Sequence, residues 1–597
     1  MDRRQLLGGA AAVGFAALPT GALHAAAPPP RRRNRPGDPG WPDASAWERL
    51  RQAVGGRLIR PEPLTGPCAA ASGSDDCARR TKNLLNPYFI GDQPAGTQVS
   101  GWLDAWRPAI SPYAVAATGA ADVAAAVRFA RRHDLRLAVK GGGHSYQGTS
   151  NAPGSLLIWT RAMKDIELHD AFVPAGGGEP TAAVTVGAGC VWMDVYDAVT
   201  SRAGRYVQGG GCTTVGVAGL VQSGGFGSFS KGFGTAASGL LQAELVTADG
   251  TVRTVNARND PELFWALKGG GGGCWGVVTR LTLKTHELPA QFGWAEATIK
   301  AASDADFARL LRRFLDHYAE ALFNPHWGEI VSVRPGNSLK ISMVSQGLDP
   351  AAAHDAWRPF AEWLKASGPG LQSLGIFTGA MPARGWWDAV GRRAKGSTSM
   401  HYDDRPGAPA AHAWWSGDQE QVSAFLHGFE SVWLPSGLLR PEQRQRLADA
   451  LFAASRHMEV ELHFNKGLAG APAEAIAAAR RTATNPEVLD AFALAIVATG
   501  SAPAYPGFPA TDMAQARRNA AAVDAAAAVL WQVAPRRGSY VSESNYFNPA
   551  WREAFWGPNY RRLRSIKQRD DPDGLFIVHH GVGSEAWSAD GFLRLKA

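Results

Sequence analysis

From residue 112 onward the apolar positions switch between a helical and a strand period. ADVAAAVRFARRH (121–133) sets Val123, Val127 and Ala130 at helical spacing, and LRLAVK (135–140) alternates as a strand does. AVTVGAG, VWMDVYDAVTSRAG and RYVQGGG follow, read as strand, helix and strand. ELVTADGTVRTVN predicts a hairpin and VVTRLTLKT a further strand, an interleaved α/β texture. Between about 290 and 535 the chain turns rich in Ala, Trp and helix formers, with long apolar-periodic stretches at 305–320 and 512–532. This predicts a second domain. Residues 536–597 read as loops and short aromatic segments, and 28–60 as a Pro- and Arg-rich, poorly ordered linker.

Length and composition agree with that division. A chain of 597 residues is too long for one compact core, and 45% hydrophobic with 19% charged residues is ordinary for a globular protein. No run of twenty apolar residues lies downstream of the N-terminus, which argues against an integral membrane protein. Of the formal charge of +8, Arg31, Arg32, Arg33 and Arg35 contribute four units within the Pro-rich flank. They read as a solvated tail, so no nucleic-acid partner is expected.

The opening, MDRRQLLGGAAAVGFAALPTGALHAAA (1–27), pairs Arg3 and Arg4 ahead of an apolar stretch and a small-residue exit. This is the pattern of a twin-arginine signal peptide, which implies the twin-arginine export machinery as a partner and a periplasmic or secreted product. That route carries proteins already folded, commonly around a cofactor. Of the five cysteines, Cys68 and Cys77 flank a polar loop and suggest a local disulfide. Cys190, Cys212 and Cys274 sit beside glycines.

The candidate chemistry lies in three glycine-dense stretches: VKGGGHSYQG (139–148), QGGGCTTVGVAGLVQSGGFG (208–227) and LKGGGGGCWGVVT (267–279). Residues without Cβ let backbone N–H groups converge on an anion, and three such loops suit a long ligand with a pyrophosphate. No metal site is expected from the sequence.

In this order, and with NYRRLRSIKQRDDPDGLF near the end, these segments resemble the berberine bridge enzyme-like FAD-linked oxidases of the vanillyl-alcohol oxidase superfamily, with the look of microbial alcohol-oxidase-like members. The resemblance implies an α+β fold. A two-part FAD-binding domain of PCMH type (61–289, completed by a C-terminal berberine-bridge segment, 536–597) would lie beneath an α+β substrate-binding domain (290–535) over the flavin. It implies FAD bonded covalently through His144 and Cys212. Gly141, Gly142, Gly143, Ser145, Gly148, Gly211, Thr213, Val215, Gly216, Gly219, Gly224, Gly225, Gly227, Gly276, Val277 and Val278 would form the cofactor-binding shell. Val215 stands where the family tunes oxygen access, and Leu220 where some plant relatives carry a histidine near the flavin.

Three residues are candidates for the catalytic base. The family's Y-x-N-Y strand appears here as Tyr540-Val541-Ser542-Glu543, so a strand period of two would aim Glu543 at the flavin, with a carboxyl raised by desolvation. In VELHFNKGLAG (460–470), Glu461, His463 and Lys466 are costly polar residues in an apolar strand, which marks His463. Tyr546 is the third. The expected activity is hydride transfer from an alcohol, sugar or amine C–H to the flavin, with O2 as second substrate and H2O2 as product. The alternatives are a dehydrogenase using a quinone or protein acceptor, or a low-turnover flavin-carrying binding protein. The sequence specifies no oligomeric state.

Overall fold

The computed structural model describes residues 31–71 and 73–595; the predicted twin-arginine segment lies outside them. The described part of the expected 28–60 linker is ordered, contrary to the sequence reading. Asp43 caps the helix Ala44–Ala53 by accepting from Ala46 N at 2.7 Å. That helix buries Trp47 against Tyr113, with ring centroids 4.0 Å apart. Leu58–Ile59 pairs antiparallel to Tyr113–Ala116. The arginines are not a solvated tail either. Arg31 bonds Asp134 at 2.6 Å, and Arg35 pairs with Asp590. Arg33 is buried, donates to the Gly574 carbonyl and lies 4.1 Å over the Trp587 ring. The segment is a strap to the chain's last residues, a pairing that composition alone does not reveal.

Three sheets carry the fold. The first runs Leu58–Ile59, Tyr113–Ala116, Ser155–Trp159, Arg136–Lys140, parallel except at its first member, with the helix Ala120–Arg132 as crossover. The second is antiparallel, with Val277–Glu287 between Thr181–Gly187 and Leu240–Val246, and Arg205–Val207 on its far end. These are the strands and hairpin expected from the alternating runs. The third sheet is also antiparallel, running Leu371–Ser373, Gln291–Ala301, Ser338–Gln346, Trp327–Arg334, Val460–His463, Ala491–Ser501, Phe425–Pro435. Helices Asp304–His317, Pro350–Ala366, Pro441–Ser455 and Met513–Val533 contribute Phe314, Trp357, Leu447 and Leu530 to the core on one face of it. Its other face remains for the site.

Residues 536–595 are mostly turn and loop, as expected, but they also carry two helices. Trp551–Trp556 and Tyr560–Asp570 are helices, and the second buries Leu563, Ile566 and Lys567 in an otherwise charged sequence. The Lys567 ammonium donates to Cys274 O (2.7 Å), Phe576 O (2.6 Å) and Asp571 Oδ2 (2.6 Å). Asp571 accepts in turn from the N–H groups of Leu575 and Phe576. This buried, fully bonded pair fastens the chain's end beneath the third glycine loop. Lys567→Met leaves Asp571 buried and unpaired, and chemical denaturation should show a loss of about 3–5 kcal/mol. A loss below about 1 kcal/mol, the scale of an exposed pair, would contradict that role.

Candidate active site

Three glycine loops meet at one cavity of about 1530 Å³, against roughly 300–1,000 Å³ for a drug-sized ligand. The first leaves the strand Arg136–Lys140. Lys140 turns under it, donating to the carbonyls of Gln93 (2.6 Å), Pro94 (2.6 Å) and Gly96 (3.0 Å). The second follows Arg205–Val207, and Tyr196 OH holds it by donating to Gly210 O at 2.7 Å. The two loops touch backbone to backbone. A Cβ on Gly142 would stand 2.9 Å from Gly216 N, and one on Gly216 2.9 Å from Gly142 N. Neither glycine admits a side chain, so main-chain groups line this wall. The third loop contributes Gly271, Gly272 and Gly273.

His144 and Cys212 both face this cavity from the first two loops. His144 Nε2 bonds Thr214 Oγ1 at 3.2 Å, which ties one loop to the other. Burial, helped by nearby Arg161, pushes the imidazole down to about 3, so it is neutral and keeps a lone pair. Cys212 Sγ donates to Asp418 Oδ1 at 3.3 Å. Burial, and then the Asp418 carboxylate, push the thiol well above its ordinary value.

The facing wall comes from the third sheet and the final segment. Glu461 and His463, two apart on one strand, both line the cavity, while Leu462 between them is buried. His463 Nε2 bonds Glu461 Oε2 at 3.1 Å, and His463 Nδ1 is buried without a partner among the described residues. Lys466 Nζ lies 2.6 and 2.7 Å from the two oxygens of Glu543. Glu329 adopts φ +68°, an uncommon backbone for a side chain with Cβ, beside the cavity.

Residues 111–256 match the "FAD binding domain" family and residues 504–583 the "Berberine and berberine like" family. The VAO-type flavoprotein oxidase VAO615 of Thermothelomyces thermophilus is 27% identical over 95% of this chain and 95% of its own. The crystal structure of the VAO-type flavoprotein MtVAO615 from Myceliophthora thermophila C1 superposes with TM-score 0.77 at 25% identity, covering 94% of this chain and 99% of that one. These matches support a berberine bridge enzyme-like FAD-linked oxidoreductase of the vanillyl-alcohol oxidase superfamily. A glucooligosaccharide oxidase of Acremonium strictum, described with 6-S-cysteinyl, 8α-N1-histidyl FAD, shares the fold at TM-score 0.59 and 18% identity, over 81% of this chain and 94% of that one.

The enzyme's own residues fit FAD. Two loops whose touching glycines a Cβ would part form one wall, and several residues that line the cavity carry buried polar atoms with no partner among the described residues. They include Gln222 Oε1, Asn465 Oδ1 and His580 Nδ1. A long polar ligand would satisfy such atoms.

Of the residues expected at the cofactor, Gly141, Gly142, Gly143, His144, Ser145, Gly211, Cys212, Val215, Gly216, Gly219, Gly276 and Val278 line the cavity, as does Leu220. Gly148, Thr213, Gly224, Gly225, Gly227 and Val277 are not part of that lining and pack against their neighbours. A Cβ on Gly148 would meet the Trp106 ring, on Gly224 the Thr484 side chain, on Gly225 Leu220, and on Gly227 the Gly209 carbonyl. Thr213 Oγ1 donates to Ala413 O, and Val277 pairs with Val246. Cys68 and Cys77 form a disulfide.

The candidate bases separate. Tyr540–Glu543 is a turn closed by Glu543 N donating to Tyr540 O at 2.9 Å, not a strand, so the period-of-two argument fails there. Glu543 reaches the cavity all the same, but held by Lys466. Tyr546 lies outside the lining, stacked on His579 with centroids 3.7 Å apart. Asp418 and Glu329 line the cavity and carry no signal in the sequence; Tyr146, inside the first glycine loop, lines it as well.

Proposed function

We propose that the enzyme bonds its FAD through both His144 and Cys212 and oxidises a C–H bond of a hydroxyl-bearing small molecule, with O2 as the final acceptor and H2O2 as product. One observation carries this reading: two nucleophilic side chains from separate glycine loops face a single cavity whose opposite wall holds a histidine–carboxylate pair. Bound FAD supplies a two-electron acceptor there. His144, neutral and held at Nε2 by Thr214, keeps Nδ1 for bond formation. His463 accepts the substrate hydroxyl proton at Nδ1, with Glu461 holding the other ring nitrogen. Trp386 and Trp415 line the same cavity and offer flat apolar surface for a sugar or aromatic ring. By contrast, Trp387 stacks on Tyr196 and Trp414 bonds Gln419, so neither serves substrate.

The test is anaerobic bleaching of the flavin across a panel of alcohols, sugars and amines, followed by admission of air. Bleaching by a hydroxyl compound with peroxide on reoxidation is expected. Bleaching reversed only by a quinone would make the enzyme a dehydrogenase instead.

Export fits the same picture. The disulfide between Cys68 and Cys77 suits an oxidising compartment, and Arg3 and Arg4 stand in the predicted leader. Replacing both arginines by lysine should strand yellow, folded protein in the cytoplasm. Normal export of that variant would refute the route.

A further inference from the structure

We propose that Asp418 is the proton acceptor through which Cys212 forms its bond to the flavin, a role that rests on the double attachment proposed above. The two residues lie 206 positions apart in the chain, yet Cys212 Sγ donates to Asp418 Oδ1 at 3.3 Å. Asp418 Oδ2 is buried with no partner among the described residues. A carboxylate kept from water, with one oxygen on a thiol and the other on nothing, is costly unless it has work to do.

Its setting is equally pointed. Asp418 belongs to the short helical turn Ser416–Gln421, which lines the cavity; Ser416, Gly417, Glu420 and Gln421 are exposed at its mouth, whereas Asp418 turns its Oδ2 out of solvent and its Oδ1 to the thiol. Three hydrogen bonds fix that turn. Trp414 Nε1 donates to Gln419 Oε1 (2.9 Å), Gln419 Nε2 to Leu85 O (3.1 Å), and Tyr146 OH to Gln421 Oε1 (2.9 Å). The turn thus delivers one carboxylate to one thiol.

A buried thiol is a poor nucleophile because its thiolate is scarce. A fixed neighbouring carboxylate would repel a standing thiolate, but it can take the proton in the same step in which sulfur attacks. Burial pushes Asp418 up to about 6, which leaves it ionised at neutral pH and more basic than an ordinary aspartate. Glu329 reinforces that rise, whereas Lys466 opposes it.

The step balances as follows. The S–H bond breaks and its proton passes to Asp418, while the sulfur electron pair forms a C–S bond at the flavin C6 carbon. The proton displaced from that carbon moves to a ring nitrogen, so the substituted flavin is reduced by two electrons. O2 then takes two electrons and two protons and leaves as H2O2. In sum, one S–H and one C–H bond are exchanged for one C–S bond.

The test compares the full-length holoprotein with D418N and D418A, each produced with FAD, then acid-denatured and digested. Mass spectrometry of the Cys212 peptide reads the flavin adduct against the free thiol, independently of turnover. In the unsubstituted protein Cys212 should be an adduct. In D418N the His144 bond should persist while adduct formation at Cys212 slows about a hundredfold or more, the scale of a lost general base. D418A leaves room for a small carboxylate, and incubating it with formate in air should restore the adduct. Wild-type adduct levels in D418N, or folded D418A that formate does not rescue, would overturn the assignment of Asp418. A free Cys212 thiol in the unsubstituted protein would instead overturn the double attachment, and this proposal with it.

Discussion

Acid precipitation of the protein carrying both His144→Ala and Cys212→Ala should leave the supernatant yellow and the pellet colourless. Each single variant should keep its flavin in the pellet. The expectation follows from the geometry: the two side chains reach the cavity from different loops, so neither bond depends on the other residue for its position. The loops themselves are joined backbone to backbone at Gly142 and Gly216, so truncating a side chain should not part them. What remains in the double variant is reversible binding, governed by FAD concentration. Absorbance of pellet and supernatant decides the matter, and peptide mapping locates the bond left in each single variant. All the flavin free in the supernatant of the unsubstituted protein would show that neither residue is bonded. Release from either single variant would mean that only one of them is.

The part of this site that was legible in the sequence is the part made by backbone constraint. Gly142 and Gly216 are required by contact rather than by chemistry, and a histidine or cysteine set among such residues stands out in any reading of the chain. Glu461 and His463 were legible for another reason, as polar residues at a spacing of two in an apolar strand. The failures share one cause. Glu543 reads as a strand residue because what holds its turn lies elsewhere in the chain: Ser431 Oγ donates to Glu543 O, and Lys466, 77 residues away, holds the carboxylate. Asp418 has no local pattern whatever; its meaning comes from a thiol 206 positions distant. The helix Tyr560–Asp570 was hidden by its charges, since its buried Lys567 is apolar in stem only and finds its partners on folding. Likewise the N-terminal arginines read as solvated because the acids and rings that hold them lie far along the chain.

The proton acceptor is where sequence and geometry disagree most, and the difference is measurable. His463→Ala should retain fold and flavin yet slow anaerobic flavin reduction by about a hundredfold to ten-thousandfold, the range of a lost general base. Glu461 engages Nε2 and leaves Nδ1, which has no partner among the described residues, as the free acceptor, so Glu461→Gln should cost less: the ring stays, but the imidazolium formed on proton uptake loses its counter-charge. Glu543→Gln tests the rival assignment. Both Glu543 oxygens already take bonds from Lys466, and to act as a base the carboxylate would have to give up a pair held at 2.6 and 2.7 Å. Its removal leaves the buried Lys466 ammonium without that partner, so the effect should fall on substrate binding more than on the reduction rate. Stopped-flow reduction at saturating substrate separates the two. A slow Glu543→Gln beside a fast His463→Ala would return the role to Glu543 and reduce the His463–Glu461 pair to a part of the wall.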